Sequence, residues 1–241
     1  MPTELYLKDA IRLAREMHRS LHFSTIPNEV SFVEKYSVDE DTGLLKPSLI
    51  KKLKNNYIAP VAILKAEVER RRGKDVKFLE SERFRSLRGF APSSKDVIPI
   101  ILKRESTFCV RRFTALKELI HNYDYRYITR ETTPKAVLNA IESALACSQP
   151  GIHSDVASLH VEAFCYFCAL EILIPWGEKG CLRRQIAEFH AQKIPDLVIA
   201  ELYRVPLAEV RRFFDPHGRY VDISRNINTQ LDDEESNEVT P

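Results

Sequence analysis

Residues 111–124 read RRFTALKELIHNYD, and the way this stretch folds decides how the rest of the chain is organised. On a helix of 3.6 residues per turn, Leu116, Leu119, Ile120, Tyr123 and Tyr127 fall on one side and make a core face. Lys117, His121 and Asp124, at i, i+4 and i+7, form a stripe beside that face. Glu118 lies about 100° round from Lys117, on the side away from the apolar arc. Thr114 is the expected N-cap, and the helix is expected to run to about Tyr127. Taken alone, the stretch is an amphipathic helix with a Lys–His–Asp surface row.

Upstream, Val97–Leu102 is a short β-type run in which Pro99 favours an edge position, and Thr107–Val110 is its expected partner strand. Residues 74–95 read as irregular and basic. Pro60 opens a helix that stops at Gly73, with a charged end from Glu67 to Arg72 that reads as a solvated face. A short basic helix is expected from Pro47 to Lys54. Residues 3–22 place Leu7, Ala10, Ile11, Ala14, Met17 and Leu21 at near-helical spacing and form an amphipathic helix.

Downstream, Thr133-Pro134 opens a helix to Cys147. A long apolar helix follows, capped by Ser154 or Asp155 and closed by Pro175. A polar helix around Glu178–Gln192 and two short helices, Asp196–Leu202 and Leu207–Phe214, complete the series. The end, LDDEESNEVTP, is acidic and nearly free of apolar residues, and is expected to be disordered. The division by composition is 1–74, an N-terminal helical segment; 75–220, the main domain; and 221–241, the acidic tail. The fold class expected is α-dominated α+β with a small β-sheet.

With 36 basic and 34 acidic residues the net charge is +2, which gives no warrant for a large nucleic-acid surface. The N-terminal segment has no apolar h-region, and the longest apolar run contains His160, Glu162 and Glu171. The expectation is therefore a protein without a membrane span. Five cysteines in such a chain read as reduced cytosolic thiols, and the localisation expected is cytoplasmic.

Zinc peptidases of the zincin type carry His-Glu-x-x-His on one helix: the histidines share a face and bind the metal, and the glutamate acts on the metal-bound water. The same five positions here are Lys117, Glu118, Leu119, Ile120 and His121. The general-base and second-ligand positions survive, and the first ligand is an ammonium. Three blocks around this motif resemble the ImmA/IrrE family of zinc metallopeptidase-like proteins. Arg112, Phe113 and Thr114 match the family's lead-in to the motif. In EAFCYFCALEILIP, Glu162, Ala169, Leu173 and Pro175 fall in register with the helix that brings a glutamate to the metal. DLVIAELYRVPLAEVRRFF is similar to the helix pair that follows, with Ile199-Ala200 and Tyr203–Pro206 at the turn.

The resemblance implies a minimal zincin-like domain. If the chain is active, it also implies Glu118 as general base and zinc on His121 and Glu162. Regulated proteolysis of a repressor-type protein is the family's activity. Lys117 in the lost-ligand position changes what is expected, because an ammonium repels a dication that neutral imidazole would bind. The reading is a pseudopeptidase without cofactor, with the Lys117 ammonium in the metal's place, acting by binding a protein. Its alternative is an active, atypical zinc endopeptidase that recruits Asp124, His153 or His160 as the missing ligand. Cys165-Tyr-Phe-Cys168 lies inside an apolar helix, where cysteine is ordinarily a small buried hydrophobe. Residues 196–214 have helix-turn-helix proportions, but the second helix opens Pro-Leu-Ala, so direct nucleic-acid reading is not expected.

Overall fold

The structure is a computed structural model and describes residues 2–21, 23, 60–82, 88–92, 94–123, 156–174, 200, 203–214 and 219–238. In chain order these form α1 (Pro2–Leu21), α2 (Pro60–Arg72), β1 (Asp75–Ser81), β2 (Gly89–Phe90), β3 (Val97–Lys103), α3 (Phe108–Tyr123), α4 (Val156–Leu173), α5 (Leu207–Phe214) and α6 (Arg219–Glu238). The fold is α-dominated α+β, with one small mixed sheet. The helices expected over 47–54, 134–147 and 178–192 lie outside the described residues, as does most of the one over 196–202. No helix among the described residues is long and apolar enough to cross a membrane.

The sheet is built from a stretch that composition reads as irregular. Its order is β1-β3-β2, with β1 parallel to β3 from Asp75↔Val97 to Ser81↔Lys103. Strand β2 runs antiparallel, pairing Gly89 with Leu102 and Phe90 with Ile101. Strand β1 is hidden in the sequence because Val76 is its one buried residue, so no apolar alternation marks it. Strand β3, by contrast, alternates cleanly, with Ile98, Ile100 and Leu102 buried. It is central rather than an edge. Pro99 is accommodated because β2 reaches only Ile101 and Leu102, leaving Pro99 a paired strand on the β1 side alone.

Residues Phe108–Val110 belong to α3 and not to a partner strand. Thr107 caps this helix: its carbonyl accepts from Arg111 N at 2.9 Å and its hydroxyl from Val110 N at 3.4 Å. Thr114, the expected cap, is buried within the helix. There it packs on Gly89, where a Cβ would stand 2.7 Å from Ile101 O and 2.8 Å from Thr114 Cγ2. Glycine is what lets β2 lie this close beneath α3. The described part of α3 ends at Tyr123, so its expected extension to Tyr127 falls outside.

The charged end of α2 is not a plain solvated face. Arg71 stacks on the Tyr123 ring at 3.8 Å and donates to its hydroxyl, and Arg72 Nε donates to Asn122 O at 2.6 Å. Glu69 Oε1 takes hydrogen bonds from Lys65 Nζ at 2.6 Å and Val76 N at 2.8 Å, joining α2 to β1. Gly73, at φ 61°, stops α2 by donating back to Glu69 O.

Contacts group the chain into two compact units, Met1–Leu13 with Val61–Ala169, and Ala14–Pro60 with Leu170–Pro241. The second unit corrects the disordered tail. Helix α6 runs to Glu238 and buries Ser224, Ile227, Asn228 and Leu231. Its anchor is Arg15, whose Nε and Nη2 donate to Asn228 Oδ1 at 3.0 and 2.6 Å, and whose Nη1 donates to Asp232 Oδ1 at 2.8 Å. Asn228 Nδ2 donates to Ser224 O at 2.8 Å, and Ser224 Oγ donates to Glu171 Oε1 at 3.3 Å. Sparse apolar residues at helical spacing, backed by one long-range arginine, hold a segment whose average composition says otherwise.

Candidate functional site

Helices α3 and α4 meet along a stripe of residues four apart on α3. Phe113 packs edge-to-face on Tyr166 of α4, ring centroids 5.3 Å apart. One turn on, Lys117 Nζ lies 2.6 Å from Glu162 Oε2 and 2.9 Å from Glu118 Oε1. One turn further, His121 Nε2 lies 3.1 Å from Glu162 Oε1. The helix thus brings Lys117, with Glu118 beside it, and His121 to the Glu162 carboxylate, which lies 45 residues on from Lys117 in sequence. Leu116, Leu119, Ile120 and Tyr123 are buried on the other side of α3, as the apolar arc requires.

The site is closed on the α3 side and open on the α4 side. Glu118 is buried rather than turned away from the core, and the Lys117 side chain is only 17% exposed. The Glu162 side chain is 53% exposed. Its two oxygens are shared out, one to Lys117 and one to His121. Cys165, one turn along α4, is buried with its thiol in hydrogen-bond contact with His121. Sequence reasoning read this cysteine as a small buried hydrophobe and missed its approach to His121. The signal was Glu162-x-x-Cys165, which puts both on one helical face. Leu170 is buried, whereas Phe167 is only half-buried and packs edge-to-face on Tyr166 at 5.5 Å. Asp124 and His153 lie outside the described residues; His160 lies on α4.

The electrostatics are those of a mutually neutralising cluster. Burial pulls the Lys117 ammonium toward losing its proton, but the Glu118 and Glu162 charges outweigh it and hold the pKa above the ordinary lysine value. Burial pushes Glu162 up, but the His121 hydrogen bond and the Lys117 charge hold it below the usual carboxylate range. His121 is raised despite burial, through Cys165, Glu162 and Glu118. Burial also raises Cys165, so that sulfur keeps its proton at neutral pH and the support for an imidazolium comes from the carboxylates. At neutral pH Lys117 is a cation and Glu162 an anion.

Among the described residues the donor set does not fit a resident zinc ion. A catalytic zinc takes three protein ligands and an open position. Here the Lys117 ammonium sits against both carboxylates, and Glu162 already serves two partners. Among the described residues no three His, Cys, Asp or Glu side chains are grouped to hold a metal.

Scanned against protein families, the sequence matches none, and no curated protein is significantly similar to it. A solved structure described as a Mycobacterium tuberculosis transcriptional regulator overlays on 90% of this chain and 54% of its own, at 11% identity and a TM-score of 0.38. The chain thus spans about half the length of that protein, and a likeness this slight carries no argument.

Proposed function

We propose that the chain is a non-catalytic relative of the ImmA/IrrE metallopeptidases, a cytoplasmic regulatory protein that acts by binding another protein. The observation that carries this reading is the Lys117 ammonium, 2.6 Å from Glu162 and 2.9 Å from Glu118, in the position of the first zinc ligand. Two carboxylates brought together on facing helices repel unless a cation stands between them. In a zinc peptidase that cation is the metal; in this reading it is supplied covalently by one side chain. The arrangement keeps the helix pair assembled and removes the Lewis acid on which peptide hydrolysis depends.

The test is a gain of metal. In Lys117→His, neutral imidazole would restore His-Glu-x-x-His, with Glu162 as third ligand. The variant should take up about one equivalent of zinc and melt at higher temperature with zinc than with a chelator. The unmodified protein should melt identically in both conditions. Zinc-dependent melting of the unmodified protein would support the alternative, an active zinc endopeptidase, and overturn this reading.

A further inference from the structure

Strand β1 carries exposed apolar side chains on both of its faces and has a partner strand on one side alone. Among the described residues the sheet ends at β1, with β3 beside it and no strand beyond it. Phe78 and Leu79, successive residues and so on opposite faces, are 38% and 46% exposed. Edge strands ordinarily avoid this, because unpaired backbone groups next to exposed apolar side chains are a template for another strand. The hydrogen bonds say which backbone groups face outward. Ser81 O accepts from Arg104 N at 3.1 Å and continues the β1–β3 ladder, so Ser81, Leu79 and Lys77 turn their backbone groups toward β3. Val76, Phe78 and Glu80 turn theirs outward. At Val76 the outward N–H is already engaged, donating to Glu69 Oε1 at 2.8 Å. Phe78 and Glu80 remain as the complete outward set, each with one N–H and one C=O, centred on Leu79.

We propose that β1 pairs antiparallel with β1 of a second copy of this chain, about a two-fold axis through Leu79. Phe78 then exchanges both backbone hydrogen bonds with the second copy's Glu80, and Glu80 does the same with the second copy's Phe78. No outward group of either residue is left over. Leu79 faces the second copy's Leu79 as a non-hydrogen-bonded pair, where side chains come closest. The neighbouring registers are worse. Centring on Glu80 sets that carboxylate opposite its own copy, and like charges directly opposite destabilise a pair. Centring on Phe78 brings the second copy's Glu80 against Val76, whose N–H is held by Glu69. In the Leu79 register Glu80 meets no such conflict, since Arg111 Nη1 pairs with it at 2.6 Å within its own chain. An interface of one strand pair is small, so the dimer is weak. None of these residues belongs to the Lys117 cluster, and the inference stands whatever that cluster does.

The test is the association state of the full chain. In sedimentation equilibrium it should pass from monomer to dimer, and no further, between about 10 and about 500 μM. Leu79→Lys, which sets two ammonium groups across the axis, should raise the dimer Kd at least about tenfold, with circular dichroism and the melting of dilute protein unchanged. The register has its own readout. Under oxidised glutathione Leu79→Cys should be trapped as a covalent dimer about tenfold faster than Lys77→Cys, whose position lies opposite Ser81 rather than its own copy. Wild type under the same oxidant gives the background from the native cysteines. Lys117→Ala should dimerise as the wild type does, which separates failure here from failure at the cluster. A monomer at every concentration would overturn the proposal and leave an extended segment of another protein as the occupant of the edge. Assembly that grows past the dimer, a dimer indifferent to Leu79→Lys, or equal trapping at positions 77 and 79 would overturn it as well.

Discussion

Lys117 and Glu162 make a pair whose energetics follow from unequal burial. Glu118 and Lys117 are largely withdrawn from water, whereas the Glu162 side chain is half exposed. Glu118→Ala should therefore destabilise the fold by about 3 kcal/mol, because it removes the buried partner of the ammonium and leaves it only the half-exposed Glu162. Glu162→Ala should cost only about 1–2 kcal/mol, since water screens that partner. Chemical denaturation of the two variants checks the order, and a larger loss for Glu162→Ala would contradict it. The pH dependence follows from the same contacts. Glu162 is held below its ordinary value of 4.5, so its contribution is full above that pH and is lost as the pH falls through its depressed folded value. His121 is raised above 6.5, so its contribution is present below that pH and is lost as the pH rises through its folded value. Between pH 5 and about pH 2 the wild type should lose more stability than Glu162→Ala, read as converging melting temperatures.

At the scale of elements, the caps and the close contacts decide the outcome. Thr107→Ala should cost about 0.5–1 kcal/mol by removing the cap of α3, and Thr114→Ser should leave the capping unaffected. Gly89→Ala forces a Cβ against Ile101 O and Thr114 Cγ2 and should cost about 1–3 kcal/mol. Arg204 sits at φ 51°, where Val205 N donates to Ala200 O at 3.1 Å in a helix-terminating turn. Arg204→Gly relieves that left-handed strain and should stabilise by about 0.5–1 kcal/mol in thermal melts. Helices with strong apolar spacing, such as α3 and α1, were legible in the sequence. Strand β1 was not, because an exposed strand beside a central partner leaves no period to read. Thr107 reads as part of a strand in sequence, and its capping role appears only once Thr114 is packed on Gly89 inside the helix.

For the whole molecule, long-range polar contacts complete what local patterning leaves open. Asn228→Ala removes the acceptor for Arg15 and a donor to Ser224 O in a buried setting, and should cost about 2 kcal/mol. Arg19→Ala, which removes the exposed ion pair with Glu235 at 3.2 Å, should cost less than about 0.5 kcal/mol. The acidic composition of residues 221–241 concealed α6 because Arg15, its partner, lies more than 200 residues away. The stripe Lys117–His121 and the lone carboxylate Glu162 were legible as a candidate site, because a charge in an apolar helix needs a partner. The half-exposure of Glu162 and the approach of Cys165 to His121 were not, since both depend on how α4 is rotated against α3.

The central claim is that a lysine ammonium does the structural work of a metal ion. The zinc content of protein purified without chelator tests it most directly. Well under about one equivalent per chain is expected, because the Lys117 charge repels the ion and engages the glutamate that would bind it. A full equivalent of zinc, retained through dialysis by the unmodified protein, would contradict it.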